Sequence, residues 1–365
     1  MKTSRFFSIA LVGLLIGFSI SSNGALFNFN NKLNKTFQKE FKVHKGTQLT
    51  IENRFGQVNL ENWDKNSVSI EVEVTVEHTS RDRAERMLAA INVILEESGN
   101  EIRAITEIDE KLMKSFGSFN FSSSSKEFRI DYRVKMPSNV DISLKNKFGD
   151  IFIDQLTGHS RIELKYGNLK ANRIYYGSAE NLSFLDLGYG NASIDEVNWM
   201  KFDVKYANVT IVKAVAVVML SKYSKFSVDQ VSSIVTESKY DTFTIGRIAN
   251  IVGESGYTTY RINRLDKKLD ITTKYGDVRL AEVANNFESI TFNGSYASLY
   301  APIDQAVSYT IDGQSSYGGI SYNTPARVNR IESSNKLTVN GTVGDNPNAS
   351  PKVIVNVRYG SAKLR

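Results

Sequence analysis

The 365-residue sequence has no cysteine, only three histidines and only five prolines. Without cysteine the chain can form no disulfide bond and cannot carry the acyl anchor of a lipoprotein. The histidines, His44, His78 and His159, lie far apart, and neither an H-E-x-x-H nor a G-x-S-x-G motif occurs, so these two hydrolase signatures are missing. Seventeen tyrosines and twenty phenylalanines instead favour a β-rich chain.

Apolar runs long enough to approach a membrane span are also scarce. One such run, IALVGLLIGFSI, follows Lys2 and Arg5 and precedes the small residues SSNGA. This pattern predicts a secretory signal peptide over residues 1–24, cut near Gly24 or Ala25, because the run is short for a membrane span. A retained membrane anchor is the alternative. We expect export to the periplasm, the outer surface or the extracellular space, with residues 25–40 as a flexible leader.

The charge balance is only mildly basic. The net charge is +6 and the pI is near 9.1, and part of that charge lies in the signal peptide and in the segment LNKTFQKEFKVHK. It is therefore weak evidence for an anionic partner, and no nucleic-acid partner is predicted.

A seventeen-residue repeat organises the centre of the chain. In register it runs FDVKYANVTI, MLSKYSKFSV, TESKYDTFTI and GESGYTTYRI, with Tyr206, Tyr223, Tyr240 and Tyr257 as fixed points. Apolar residues alternate with polar ones, which predicts strands with one buried face, and the alternation changes phase after the tyrosine, which predicts a corner. We therefore expect an all-β fold, a single-chain parallel β-solenoid (β-helix) of about a dozen coils, right-handed by analogy with parallel crossovers.

An early unit lies apart from the main array. LTIENRFGQVNLENW, residues 49–63, matches ISLKNKFGDIFIDQL, residues 142–156, which predicts that the two segments are adjacent parallel strands. The predicted organisation is a first coil over 41–66, an inserted α/β capping subdomain over 67–136, the main solenoid over 137–322, and a C-terminal loop with the final coils over 323–365. A cap is expected because an open terminal coil exposes unpaired backbone groups.

Aromatic residues followed by glycine mark the corners. We interpret the glycine as the source of positive backbone torsions there; no helical pattern follows, which argues against a phosphate loop. The rings should stack at about 4.8 Å per coil, pointing inward or along the corner. A structural ladder is favoured over a sugar-binding platform. The glycines concerned are Gly56, Gly149, Gly167, Gly190, Gly276, Gly318 and Gly360.

A basic residue precedes most of these aromatics, and an acid often lies two residues before the base. A solvated face of acidic and basic columns explains most of this pattern, with an anion-binding stripe as the alternative. One coil differs, because Leu220 replaces the acid there and leaves Lys222 and Lys225 uncompensated within their coil. These two lysines are the candidate anion contact. The basic column is Arg54, Lys147, Lys165, Lys205, Lys222, Lys239, Lys274 and Arg358.

Evidence for catalysis is thin. Asp150, Asp277, Lys147 and Lys274 could supply the acids and bases of a polysaccharide lyase, but all four follow the repeat, whereas a catalytic site should break it. We predict no catalytic, cofactor-binding or metal-binding residue and no cofactor.

The mature chain resembles the exported bacterial β-strand-repeat proteins of unknown function called putative adhesins, which are similar to the head GIN-domain adhesins. The resemblance covers most of residues 40–365. It implies a β-helix outside the cytoplasm, with no catalytic residues to transfer. We therefore expect a non-catalytic protein of adhesion or of the cell envelope, whose unknown partner could be a polysaccharide. The alternatives are a carbohydrate-active β-helix enzyme and a periplasmic envelope-stress or regulatory protein. The residues that carry the resemblance are the signal peptide, ENRFGQVNLENWDKNSVSIEVEV, RAERMLAAINVILEESGNEIRAITE, FRIDYRVKMPSNVDISLKNKFGDIFI and the later KYG units.

Overall fold

The computed structural model describes residues 31–115 and 127–365. The predicted signal peptide, residues 1–24, lies outside the described residues. The described part of the chain is all-β, with about 70% of its residues in strands and about 4% in helices, and one large, mostly parallel sheet of 24 strands joins the described parts. Neither helix within these ranges is long and apolar enough to cross a membrane.

The bounds of the elements follow. The helices are α1 Arg81–Ala89 and α2 Glu110–Ser115. The first twelve strands are β1 Asn31–Lys42, β2 Gln48–Glu52, β3 Val58–Asn62, β4 Ser67–His78, β5 Ile91–Ser98, β6 Glu101–Ile108, β7 Phe128–Met136, β8 Asp141–Lys147, β9 Ile151–Leu156, β10 Ser160–Lys165, β11 Asn168–Ile174 and β12 Ser183–Gly188. The others are β13 Asn191–Lys205, β14 Asn208–Lys222, β15 Lys225–Lys239, β16 Thr242–Gly256, β17 Thr259–Val283, β18 Ser289–Tyr300, β19 Tyr309–Ser316, β20 Gly319–Ser321, β21 Ala326–Ser333, β22 Lys336–Val343, β23 Lys352–Arg358 and β24 Ser361–Lys363.

The central strands pair as the repeat predicts. Strands β13 to β17 are parallel neighbours in chain order, so that Lys205, Lys222 and Lys239 lie side by side. Val228 and Ile245 are buried, whereas Thr244, which directly precedes Ile245 and so lies on the other face of the strand, is exposed. The predicted phase of the alternation is therefore confirmed. The buried residues of all units form one continuous apolar cluster.

The two matching segments are adjacent, as predicted. Strand β2 pairs in parallel with β8, placing Leu49 beside Ile142, and β3 pairs in parallel with β9, placing Val58 beside Ile151. The intervening segment extends the same sheet, because β6 pairs in parallel with β2, and β7 does so with β3. Strands β5, β4 and β1 then follow in antiparallel pairing. Helix α1 packs over them, with Met87 buried.

Part of the predicted flexible leader is a strand. Residues 31–40 lie in β1, which pairs antiparallel with β4 along twelve residues. Leu33 and Phe37 pack against the core and Phe41 is buried. The prediction of a flexible leader is wrong for this described part, because three apolar residues four apart anchor an otherwise charged edge strand.

The C-terminal end does not follow chain order. Strand β23 lies between β18 and β19 and is parallel to both, and β24 lies between β18 and β20. Strand β22 does not form a further parallel unit; it covers β19 in antiparallel pairing, with β21 as its hairpin partner. The last strand of the described chain is therefore an interior strand of the sheet.

Candidate functional site

The aromatic residues at the corners adopt a left-handed backbone. Eleven of them have φ between 52° and 62°, a conformation that costs a non-glycine residue about 1–2 kcal/mol. It turns each side chain away from the strand that precedes it. These residues are Phe148, Tyr166, Tyr189, Tyr206, Tyr223, Tyr240, Tyr257, Tyr275, Tyr296, Tyr317 and Tyr359.

Together with Phe55 these rings form one unbroken stack, here called the ring ladder. Neighbouring ring centroids are 4.7–5.3 Å apart and the rings are inclined by 4–18°. Each ring covers the faces of its neighbours, so the edges face solvent, and the ten tyrosines are 37–55% exposed. Of the two directions predicted for the rings, inward and along the corner, the inward one is therefore wrong. Inside the ladder the rings therefore offer edges rather than the free faces on which a sugar could stack, whereas the terminal Tyr317 ring stacks on Tyr359 alone among the described rings.

The glycines after the aromatics have another role than the predicted one. Of the seven, only Gly56 has a positive φ, of 136°. The others permit close approach: a Cβ on Gly149 would lie 1.9 Å from the carbonyl oxygen of Gly56, and one on Gly190 would lie 1.9 Å from that of Gly167. Since the aromatic residue itself supplies the positive torsion, glycine is needed for contact between successive units.

Where a polar side chain replaces this glycine, it points into the core. Asp241 is buried, and its carboxylate accepts hydrogen bonds from Ser221 Oγ at 2.7 Å, Ser224 N at 2.7 Å and Lys239 N at 3.1 Å. Burial raises the pKa of Asp241, and these donors lower it in part. The carboxylate is held by the corner itself and is closed off from substrates.

Several members of the basic column contact an acidic side chain or an aromatic ring. Lys205 Nζ lies 3.1 Å from Asp203 Oδ1, and Lys239 Nζ lies 5.3 Å from the centroid of the Tyr240 ring. Burial raises the pKa of Asp186, and the nearby Lys165 lowers it. Among the described residues, Lys205 is the one lysine of the basic column that forms an ion pair with the acid of its own unit, so compensation of the two columns stays an interpretation.

The candidate anion contact lies within this face. Lys222 lies between Lys205 and Lys239, and Lys225 opens the next strand between Asn208 and Thr242. Both lysines are exposed, and neither forms an ion pair within the described ranges. The two lysines thus lie on either side of the corner at Tyr223, and their role stays a prediction.

The four residues considered for catalysis are not brought together. Asp150 Oδ1 accepts hydrogen bonds from the backbone and side-chain amides of Asn168, and Asp277 Oδ1 accepts one from Ser298 N. Both carboxylates thus brace the next turn. Lys147 lies over the ring of Phe148, and Lys274 lies over that of Tyr275, seven rings further along the ladder. Among the described residues there is no group of three or more His, Asp or Glu side chains that could hold a metal.

A groove that the sequence interpretation missed lies near the C-terminal end. Its volume is about 510 Å³, and strands β16 to β19 and β23 contribute its lining. The acidic column ends at Glu254 and continues as Thr272, Asn293, Asn356 and Gln314 on neighbouring strands. The change from acids to neutral residues is visible in the sequence. The adjacency is not, because β23 enters the sheet out of chain order.

The chain is similar to several solved structures. A putative cell adhesion protein from Clostridium sporogenes matches at 9% identity over 91% of this chain and 98% of its own, with a TM-score of 0.20. A putative adhesin from Parabacteroides merdae matches at 9% identity over 73% and 95%, with a TM-score of 0.37. A putative lipid binding protein from Parabacteroides distasonis matches at 9% identity over 71% and 94%, with a TM-score of 0.34.

Adhesin names among these structures agree with the family resemblance predicted from the sequence. At these identities and TM-scores the likeness supports no inference about function. No protein-family model matches the chain, and no curated protein does.

Proposed function

We propose that the chain is an exported, non-catalytic binding protein of adhesion or of the cell envelope. The observation that supports this proposal best is the outer face beside the ring ladder, where the same side chains recur at the spacing of adjacent strands. Such a face is complementary to a repetitive partner, because each unit offers the same contact again. Exposed ring edges and cations make an acidic polysaccharide the partner that we expect.

The architecture behind this face is, we infer, a β-solenoid. Each central unit contains a buried apolar stretch before the tyrosine and another after it, as Val217 and Val209 illustrate. Both stretches contribute to the same apolar cluster. A chain that turns at the left-handed tyrosine and returns to the parallel neighbouring strand after seventeen residues meets these conditions as a coil, right-handed by the usual preference.

Contact with an acidic polymer is expected where cations lack acids in their own unit. Lys222 and Lys225 meet this condition, since Leu220 lies between Asp203 and Glu237 in the acidic column. Exposed charges of this kind act at long range in low salt and are screened as the ionic strength rises.

Binding to polygalacturonic acid and to lipopolysaccharide, each at two salt concentrations, tests the proposed function. The Lys222→Gln, Lys225→Gln variant should bind both polymers clearly more weakly than the parent at low salt. The matched control is Lys205→Gln with Lys239→Gln, which removes the same charge from lysines held by Asp203 and Tyr240. Equal binding by both double variants would refute the two-lysine contact. Failure of the parent to bind either polymer, or release of new reducing ends from the polygalacturonic acid, would refute the function.

A further inference from the structure

At the C-terminal end of the outer face, both repeated columns lose their regular residues. Next to the ring ladder, the basic column reads Lys274, Ser295, Arg358 and Ser316 across four neighbouring strands. Elsewhere three lysines stand side by side in this row. The two serines are short, so they leave gaps beside and between the two cations. In the next row the acids give way to amides and a hydroxyl.

We name this region the amide groove and define it by Thr272, Asn293, Asn356, Gln314, Lys274 and Arg358. Its two cations are about 10 Å apart at the backbone, since they lie two strand spacings apart. Neither forms an ion pair within the described ranges, and each lies over the ring that follows it, Lys274 at 5.4 Å from the centroid of Tyr275 and Arg358 at 5.3 Å from that of Tyr359. Glu254 is the one acid among the lining residues, so the lining carries two positive charges and one negative charge.

The neutral row of the groove can both donate and accept hydrogen bonds. Asn356 Nδ2 donates to Asn293 Oδ1 at 2.8 Å, and Asn293 Nδ2 donates to Thr272 Oγ1 at 3.4 Å. Among the described residues, no side chain hydrogen-bonds to Asn356 Oδ1 or to the side-chain amide of Gln314. A ligand rich in hydroxyl groups matches such a row, because hydroxyls also donate and accept.

We propose that the amide groove binds an acidic oligosaccharide. The neutral row would hydrogen-bond the sugar hydroxyls, and Lys274 and Arg358 would each meet a carboxylate, which the planar guanidinium can bind through two parallel hydrogen bonds. A single-stranded nucleic acid fits less well, because its successive bases need several free aromatic faces, and the rings inside the ladder cover one another. The inference deepens the proposed function, on which it rests, by naming a ligand class and a second site.

The probe is a trimer of galacturonic acid, with maltotriose as its neutral counterpart, and titration calorimetry gives the affinities. The Lys274→Gln, Arg358→Gln variant and the Asn356→Ala variant should each bind the acidic trimer at least tenfold more weakly. The Lys222→Gln, Lys225→Gln variant removes the same charge outside the groove and should bind the trimer as the parent does.

Ser295→Lys separates a groove from simple charge attraction. This substitution restores the lysine that regular units carry at this position and should fill the gap between Lys274 and Arg358. The groove predicts loss of trimer binding, whereas charge attraction alone predicts tighter binding from the added cation. Thermal unfolding of each variant confirms that it is folded.

Three results would overturn the amide groove: unchanged trimer affinity in the Lys274→Gln, Arg358→Gln variant, full affinity in Asn356→Ala, or tighter binding by Ser295→Lys. The two proposals fail separately. Long polygalacturonic acid that still binds through Lys222 and Lys225 would preserve the proposed function while the groove is rejected. Trimer binding that depends on the groove, without polymer binding at the two lysines, would reject that contact alone.

Discussion

At the scale of single residues, the corner tyrosine adopts a backbone conformation that usually belongs to glycine. The left-handed backbone costs about 1–2 kcal/mol, and each stacked pair can return about 0.5–1.5 kcal/mol beyond the area it buries. An interior ring such as that of Tyr223 stacks on two neighbours, at 5.0 Å and 4.8 Å. The stack can therefore offset the strain, which explains why a tyrosine recurs where local preference favours glycine.

Two substitutions of Tyr223 test this balance, because their order of stability should be the reverse of the order at an ordinary strand position. Tyr223→Ala loses both stacking contacts and keeps the strained backbone, whereas Tyr223→Gly loses the contacts and removes the strain. We expect the free energy of unfolding of Tyr223→Gly, measured in urea, to exceed that of Tyr223→Ala by about 1 kcal/mol. At the half-exposed strand residue Val235 the ordinary order should hold, with alanine more stable than glycine by about 0.5–1 kcal/mol. If alanine were more stable than glycine at both positions, the proposed backbone strain at Tyr223 would be contradicted.

Asp241 predicts a pH dependence of stability. Burial raises its pKa above the ordinary value of 3.8, so the folded state retains the proton more strongly than the unfolded state does. The contribution of this group to the free energy of unfolding therefore falls as the pH rises from about 3.8 through the folded pKa, and it is constant above that. Asp241→Ser, the residue of the preceding unit, should remove this loss. Urea unfolding of the parent and of Asp241→Ser at several pH values from about 3.8 upward measures this loss, and Asp229→Ser is the exposed control. A stability difference between parent and Asp241→Ser that does not vary with pH would contradict the prediction.

At the scale of elements, the repeat predicts pairing well because one face of each strand is buried. A slip by one residue would expose every apolar side chain of that strand, so the alternation specifies the register. The parallel pairing of β13 to β16, and that of β2 with β8, could therefore be predicted. The direction of the rings could not, because it depends on a torsion that the stack of many units stabilises.

Strand β1 and the amide groove could not be predicted from the sequence, each for a different physical reason. Strand β1 is rich in lysine, a composition that an edge strand shares with a flexible leader. Asn293 and Asn356 of the amide groove are 63 residues apart, and periodicity says nothing about strand β23 entering the sheet between β18 and β19. The residue types of the candidate site were visible in the sequence, but their arrangement was not.

At the scale of the whole molecule, the order of strands in space differs from their order in the chain. Strand β23 is hydrogen-bonded on both sides, and the ring of Tyr359 lies between those of Tyr296 and Tyr317, at 4.7 Å and 4.8 Å. Val353, Val355 and Leu364 are fully buried. The C-terminal segment therefore joins the terminal units to the rest of the sheet.

This arrangement predicts that removing residues 350–365 disrupts more than an edge. Each buried valine or leucine contributes about 1.5–3 kcal/mol, and the edges of β18 and β19 would lose their shared partner. We expect the truncated chain to unfold at a clearly lower temperature and to lose protection from hydrogen exchange in β18, β19 and β22. A synthetic peptide of residues 350–365 should bind the truncated chain and restore that protection, whereas the same peptide with Val355→Asp should not, because it would bury an unpaired carboxylate. A truncated chain that melts like the parent and ignores the peptide would show that β23 is dispensable and would contradict its place inside the sheet.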